Sequence, residues 1–136
     1  MPKYKNPIVV FVIVLLLLTG CGGGNKPSTT LKVDMTDFQF TPGNFIVPAG
    51  QEITFTANNS GAVVHQFIIM KLGTTVGDDF NDDDLANVYW RIEVQPGSSA
   101  TDTFTAPAEA GEYQVVCGTP GHFKAGMVAK LIVIAP

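Results

Sequence analysis

From Leu31 onward the chain is built of short apolar runs that glycine, proline and asparagine interrupt every few residues. Residues 31–35 and 53–57 alternate apolar with polar side chains, and this period of two places every second side chain on one face of a β-strand. No segment shows the 3.6-residue period of a long amphipathic helix. The pattern therefore predicts an all-β domain in which sheets bury their apolar faces, as in a sandwich or barrel.

The length of the chain and the number of apolar runs set the size of this domain. A chain of 136 residues is long enough for one compact domain and too short for two of ordinary size. The runs predict seven to eight strands, at residues 31–35, 44–47, 53–57, 63–69, 88–94, 99–105, 111–117 and 127–134. A polar stretch interrupts them, and we expect a surface excursion with a short helical turn near residues 78–87.

The first twenty residues do not follow the β pattern. Lys3 and Lys5 give a positively charged start, and an unbroken apolar run of 11 residues follows at positions 8–18. Crossing the hydrocarbon layer as a helix takes roughly 20 apolar residues, so a permanent membrane span is not expected. A charged start before a short apolar run predicts a secretion signal over residues 1–20 and hence an exported protein.

The next residues resemble the lipobox of bacterial lipoproteins, Leu18-Thr19-Gly20-Cys21. This resemblance implies that Cys21 is acylated, becomes the mature N-terminus and anchors the protein by lipid to the outer face of the cytoplasmic membrane. Residues 21–30 are rich in glycine, serine and threonine, so they predict a flexible linker to a domain at residues 31–136. The alternative is an ordinary cleaved signal, which leaves Cys21 as a thiol.

Charge and cysteine content narrow the possible functions. Without residues 1–20, six Lys and Arg face twelve Asp and Glu, a net charge of −6, and such an acidic domain repels nucleic acid. The chain has two cysteines. With Cys21 assigned to the lipid, Cys117 has no disulfide partner in an oxidising compartment, so its thiol needs another role.

A metal site would give Cys117 that role. Four residues separate Cys117 from His122 and four separate His122 from Met127, so one loop between strands can turn all three side chains inward. His65, the other histidine of the chain, opens an apolar strand and can complete the set. Two imidazoles, one thiolate and a weak axial thioether are the ligands of an electron-transfer copper site. Zinc is the next alternative, although structural zinc sites use four strong nitrogen or sulfur ligands.

The sequence around these residues resembles the cupredoxin family of small blue copper proteins, above all its auracyanin, rusticyanin and sulfocyanin types. The resemblance rests on residues 111–117 with Pro120-Gly121-His122 and Gly126-Met127, and it extends to residues 47–55 and the His65 strand. It implies a Greek-key β-sandwich with one copper ion per chain. The excursion at residues 73–87 lies outside the resemblance.

The resemblance also implies a role for each ligand. His65 and His122 give ring nitrogens, Cys117 gives a short thiolate bond and Met127 gives a long axial contact. Many relatives have asparagine after the first histidine, where this chain has Gln66. The side-chain bond that holds the ligand loop is therefore expected to differ here.

These features predict a membrane-tethered carrier of single electrons that is not an enzyme. We expect a monomer whose partner is a cytochrome or a membrane electron-transfer complex. A copper chaperone or copper-storage lipoprotein is the alternative, although a closed ligand set disfavours transfer of the metal. A structural lipoprotein domain without metal is a third possibility.

The acidic run at residues 78–84 has two interpretations of equal weight. It could steer a positively charged partner, or it could be only a solvated loop. Calcium binding is not favoured there, because Asp84 and Trp90 stand where an EF-hand loop requires glycine and glutamate.

Overall fold

The computed structural model describes Met1 and residues 26–136. The rest of the predicted signal peptide, the predicted lipidation site Cys21 and the first part of the predicted linker lie outside the described residues. Within residues 26–136 no helix is both long and apolar enough to cross a membrane. This part of the chain forms one short 3₁₀ helix, Asp82–Asn87, and nine strands: β1 Thr30–Thr36, β2 Gln39–Thr41, β3 Asn44–Pro48, β4 Glu52–Asn59, β5 His65–Met70, β6 Val88–Val94, β7 Ser99–Thr105, β8 Gly111–Val116 and β9 Val128–Ile134.

The strands form two sheets that share one core. One sheet has the order β2-β1-β4-β7 and the other has the order β3-β9-β8-β5-β6. The pairs β1–β4 and β3–β9 are parallel, and the other neighbouring pairs are antiparallel. The chain crosses repeatedly between the sheets, so many neighbouring strands are distant in sequence, as in Greek-key sandwiches. The predicted all-β sandwich is confirmed.

The core between the sheets is rich in aromatic rings. Every second residue of β1 is buried, which is the alternation that the sequence predicts. The rings of Phe45, Phe55 and Phe67 meet at centroid separations between 4.5 and 6.4 Å, and Trp90 stacks on Phe104 at 4.6 Å. Close-packed rings resist deformation, so the strands that carry functional residues are held firmly.

Strand β5 differs from β1 because it is buried on both faces. Its residues Ile68 and Met70 contribute to a second, smaller apolar cluster with Val76 and Val116, against which Phe80 packs. Val76 and Phe80 belong to the excursion that precedes the 3₁₀ helix. The helical turn is present as predicted, and the segment before it also covers part of the core, which its polar composition did not indicate.

The short strand β2 was not predicted from the sequence. It pairs with the end of β1, with Thr36 opposite Gln39, so Asp37 and Phe38 form a tight two-residue turn. Phe38 has a φ of +67°. This left-handed conformation costs a non-glycine residue about 1–2 kcal/mol, so the surrounding contacts must hold the turn in its shape.

Candidate metal centre

The loop between β8 and β9 carries three of the four predicted ligands. Cys117 directly follows β8, and Met127 directly precedes β9. Because these strands are antiparallel neighbours, the two ends of the loop lie side by side, and the Cys117 N–H donates to the Met127 carbonyl (3.2 Å). His65 is the first residue of β5, which lies next to β8 in the same sheet. The topology therefore gathers the predicted ligands at one end of this sheet.

The donor atoms of this group converge. Sγ of Cys117 lies 3.8 Å from Nδ1 of His65 and 3.7 Å from Nδ1 of His122. The three atoms all lie within 4.8 Å of one another, and the two imidazole centroids are 5.0 Å apart. Met127 is fully buried in the core that contains Cys117. The four residues predicted from the sequence are arranged like a type 1 copper site.

These two separations are compatible with one metal ion bound by the sulfur and the ring nitrogens. Zinc, taken as a guide to a first-row metal, binds imidazole at about 2.0–2.1 Å and thiolate at about 2.3 Å. With such bonds about 120° apart, nitrogen and sulfur are about 3.8 Å apart, against about 3.6 Å at tetrahedral angles. The observed 3.7 and 3.8 Å lie close to both values, and the donor set itself is typical of electron-transfer copper.

The donor set is closed to water. His65 and Cys117 are fully buried, and His122 is 8% exposed. Burial lowers the pKa of His65 below its usual value of 6.5, the nearby His122 lowers it further, and Asp37 acts in the opposite direction. A neutral imidazole keeps the lone pair that a metal needs, so these surroundings favour the metal-binding form of His65.

The ligand loop is compact on its own. Gly121 and Gly126 have φ values of +81° and +97°, which glycine adopts without a side-chain clash. The Ala125 N–H donates to the Gly121 carbonyl (3.0 Å), and the Met127 N–H donates to the His122 carbonyl (2.9 Å). These short-range bonds fix the backbone of His122 relative to that of Met127.

Two hydrogen bonds join this loop to other segments of the chain. The Thr119 hydroxyl donates to the carbonyl of Val64, the residue before His65, at 2.7 Å. The Gly121 N–H donates to Oδ2 of Asp79 in the excursion, at 2.6 Å. Neither bond could be predicted from the sequence, because both join residues about 40 or more positions apart and leave no local pattern.

Gln66 does not hold the loop by a hydrogen bond of its side chain. Its amide instead donates to Glu93 on β6, at 2.9 Å. The Gln66 side chain packs over Gly118, where an added Cβ would lie 2.3 Å from Oε1. As expected, the side chain after the first histidine does not bond to the ligand loop. The Thr119 hydroxyl instead joins this loop to Val64, the residue before His65.

Asn59 holds the segment that leads into His65. Its buried side chain donates to the carbonyls of Val63 (2.8 Å) and Val94 (2.9 Å), and it accepts from the N–H of Gly61 (2.9 Å). One side chain thus satisfies three backbone groups, which would otherwise be left without partners. Asn59 thereby fixes the turn between β4 and β5 from which His65 projects.

The turn between β1 and β2 contacts both histidines. Oδ1 of Asp37 lies 3.3 Å from Nε2 of His65, and Nε2 makes no hydrogen bond within the described residues. The Phe38 ring meets the His122 ring edge-on, with centroids 5.0 Å apart. Phe38 itself is 51% exposed, so it covers His122 while remaining at the surface.

Known proteins with similar sequences bind copper. Residues 27–134 match the family model for copper binding proteins of the plastocyanin/azurin family. The chain is 35% identical to plastocyanin of Sambucus nigra over 99 residues, 69% of this chain and 86% of that protein. It is 29% identical to the copper-resistant cuproprotein CopI of Rubrivivax gelatinosus over 119 residues, 82% of this chain and 70% of that protein.

Auracyanin structures have the same fold. Dithionite-reduced auracyanin from Roseiflexus castenholzii gives a TM-score of 0.68 at 30% identity, covering 80% of this chain and 99% of that one. Auracyanin A, a blue copper protein from Chloroflexus aurantiacus, gives a TM-score of 0.64 at 28% identity, covering 80% and 100%. The predicted resemblance and the predicted cofactor, copper, are confirmed. The chain belongs to the plastocyanin/azurin family of copper binding proteins.

Proposed function

We propose that the protein carries single electrons on one copper ion held by His65, Cys117, His122 and Met127. The observation that carries this proposal is the convergence of a buried sulfur and two ring nitrogens at 3.7 and 3.8 Å. Copper, when bound, supplies the change between Cu(I) and Cu(II). Imidazole suits both oxidation states and soft sulfur ligands suit Cu(I), so this donor set favours neither state strongly.

The chain's own residues contribute rigidity and shielding. Bonds within the ligand loop, and the bond from Thr119 to Val64, hold the donor atoms in place before any metal binds. The enclosed site excludes water that would otherwise reorient when the charge changes. His122 is the most exposed of the four proposed ligands, so we propose that electrons enter and leave through its outer edge.

Copper handling is a second candidate function, supported by a different observation. A relative that is 29% identical and aligns with 82% of this chain is named a copper-resistant cuproprotein. A chaperone or store must release its metal, and release is easier from exposed ligands. His65, Cys117 and Met127 are fully buried, which supports retention of copper and hence electron transfer as the first candidate.

Copper retention during redox cycling tests the proposal. Protein loaded with one equivalent of Cu(II) is reduced with ascorbate and reoxidised with ferricyanide repeatedly, in the presence of a Cu(I) chelator. An electron carrier keeps its copper and regains its colour in each cycle. Transfer of most of the copper to the chelator during the first reduction would support copper handling instead.

We also propose that the protein is exported and tethered through a lipid on Cys21 to the outer face of the cytoplasmic membrane. There it acts as a monomer, with a cytochrome or a membrane electron-transfer complex as its partner. The support is the Leu18-Thr19-Gly20-Cys21 motif behind a short apolar run. Cys21→Ala is expected to move the protein from the membrane fraction to the soluble fraction, and unchanged membrane association would contradict the lipid tether.

A further inference from the structure

We propose that Asp37 is a positioning residue of the copper centre, whose carboxylate accepts the Nε2–H of His65 and keeps Nδ1 aimed at the metal. The inference rests on the proposed copper function, because it assigns to that site a residue outside the ligand motif. Asp37 lies about 30 residues before His65 and on a different sheet, in the turn between β1 and β2.

The two nitrogens of His65 are in different situations. Nδ1 faces Sγ of Cys117 at 3.8 Å, whereas Nε2 is buried and makes no hydrogen bond within the described residues. Buried polar atoms of native proteins are nearly always paired, so an orphaned ring nitrogen calls for an acceptor. Oδ1 of Asp37, at 3.3 Å, is within reach after a small rotation of the ring or the carboxylate.

The turn before His65 supports the contact between Asp37 and His65 in two ways. The Ala62 N–H donates to the same Oδ1 of Asp37 at 3.2 Å, which ties the carboxylate to the turn before His65. Gly61 leaves the space that the contact occupies, because an added Cβ would lie 2.5 Å from Nε2 of His65 and 2.6 Å from Oδ1 of Asp37. An acid that is only solvated would require neither the bond nor the gap.

A hydrogen bond from Nε2 of His65 to a carboxylate would affect the metal through the imidazole ring. A carboxylate that accepts the second N–H of a metal-bound histidine fixes its tautomer and makes the ligating nitrogen a stronger donor. Its negative charge also favours Cu(II) over the less positive Cu(I). The side chain of Asp37 is 42% exposed, so water weakens the charge effect while the hydrogen bond remains directional.

The test compares full-length protein carrying Asp37→Ala, Asp37→Asn or the control Asp34→Asn. Asp34 lies on β1 and is exposed, so its substitution removes a nearby charge without touching either histidine. The copper reduction potential and the ¹⁵N signals of His65 in the Cu(I) form are measured. We expect Asp37→Ala to weaken Cu(II) binding about tenfold relative to Cu(I), which raises the potential by about 59 mV.

The ¹⁵N signals also report how fast the Nε2 proton of His65 exchanges with water, and loss of a nearby charge alone would not change this rate. His65 of the unaltered protein is expected to carry its proton on Nε2, with slow exchange against water, and Asp37→Ala is expected to speed this exchange. Asp37→Asn keeps an acceptor oxygen without the charge, so it should give a smaller change in both quantities. Asp34→Asn should leave both unchanged.

The outcomes distinguish failure of the proposed role of Asp37 from failure of the proposed copper function. A coloured Asp37→Ala protein with unchanged potential and unchanged His65 exchange would overturn the inference and leave the electron carrier intact. Equal shifts in Asp37→Ala and Asp34→Asn would also overturn it, because general loss of charge would then explain them. Should Asp37→Ala fail to fold, the potential of Asp37→Asn against that of Asp34→Asn decides. An unaltered protein that shows no copper colour would instead overturn the proposed function.

Discussion

His65 and His122 present the same ring nitrogen to the same sulfur, at 3.8 and 3.7 Å, from very different surroundings. His65 begins an interior strand of a five-stranded sheet and is fully buried, whereas His122 sits on a loop and is 8% exposed. The Asp37 carboxylate lies beside Nε2 of the first. The ring of the second meets one aromatic ring, that of Phe38, with centroids 5.0 Å apart.

This difference separates two requirements of an electron carrier. The inner half of the site, around His65, keeps its geometry because the sheet, the Asn59 bonds and the close approach of Gly61 restrict its movement. The outer half, around His122, brings one proposed ligand near the surface, where we propose that electrons enter and leave. A site built from two such halves can be rigid and accessible at once.

The largest effect is expected from removing Sγ of Cys117, which faces both histidines. Cys117→Ser should abolish the sulfur-to-copper charge-transfer band completely, because a serine hydroxyl cannot supply the thiolate that gives this band. Visible absorption after addition of Cu(II) measures it. Met127→Leu is the matched control, since it should keep the colour while raising the reduction potential. An intensely coloured Cys117→Ser protein would show that the sulfur has been assigned wrongly.

Removal of each imidazole in turn tests the comparison of the two halves directly. His122→Gly should lose the visible band and recover most of it when free imidazole is added, because the gap opens towards the surface. His65→Gly should lose the band and recover little, because that gap is enclosed by packed side chains. Equal recovery in the two variants would mean that the inner and outer halves do not differ in access.

A smaller effect is expected from crowding the inner half. Gly61→Ala places a Cβ 2.5 Å from the His65 ring and 2.6 Å from Asp37, so both must move. Overpacking of this kind destabilises a protein by about 1–3 kcal/mol. Urea unfolding of the metal-free protein measures the loss, with Gly77→Ala as the control because nothing lies within 4 Å of its added Cβ. Equal stability of the two variants would contradict the packing described here.

The smallest effect is expected from removing the hydrogen bond between Thr119 of the ligand loop and Val64. Thr119→Val keeps the shape of the side chain but deletes the bond to Val64, and we expect a loss of about 1 kcal/mol of unfolding free energy. Thr74→Val deletes a bond of the same length to Lys71 at an exposed position, where water can replace it. It should therefore cost less in the same unfolding experiment. A loss in Thr74→Val as large as that in Thr119→Val would argue against a special role of Thr119.

The parts of the site that the sequence predicted are those with a local signal. Cys117, His122 and Met127 lie within one short loop, and His65 could be assigned because the chain has only two histidines. Strands such as β1 were predicted through their period of two, which burial of one face imposes, and strands such as β5 were predicted as apolar runs between turns. The candidate ligands and the fold class could therefore be predicted from the residues themselves.

The supports of the site could not be predicted in this way. Asp37 and Phe38 reach the histidines only because the three-residue strand β2 turns the chain back, and so short a strand shows no period. Asp79 was one of several acids in a polar run, yet it accepts the Gly121 N–H and so is engaged by the ligand loop. These roles depend on contacts between segments distant in sequence, which composition and spacing do not encode.

The visible spectrum of the purified protein with one equivalent of Cu(II) shows whether the four residues form a type 1 copper site. We expect an intense blue or green band that ascorbate bleaches and reoxidation restores, because a thiolate and two imidazoles would enclose the ion. A colourless or pale complex would contradict the electron-carrier assignment and would favour the copper-handling or structural functions instead.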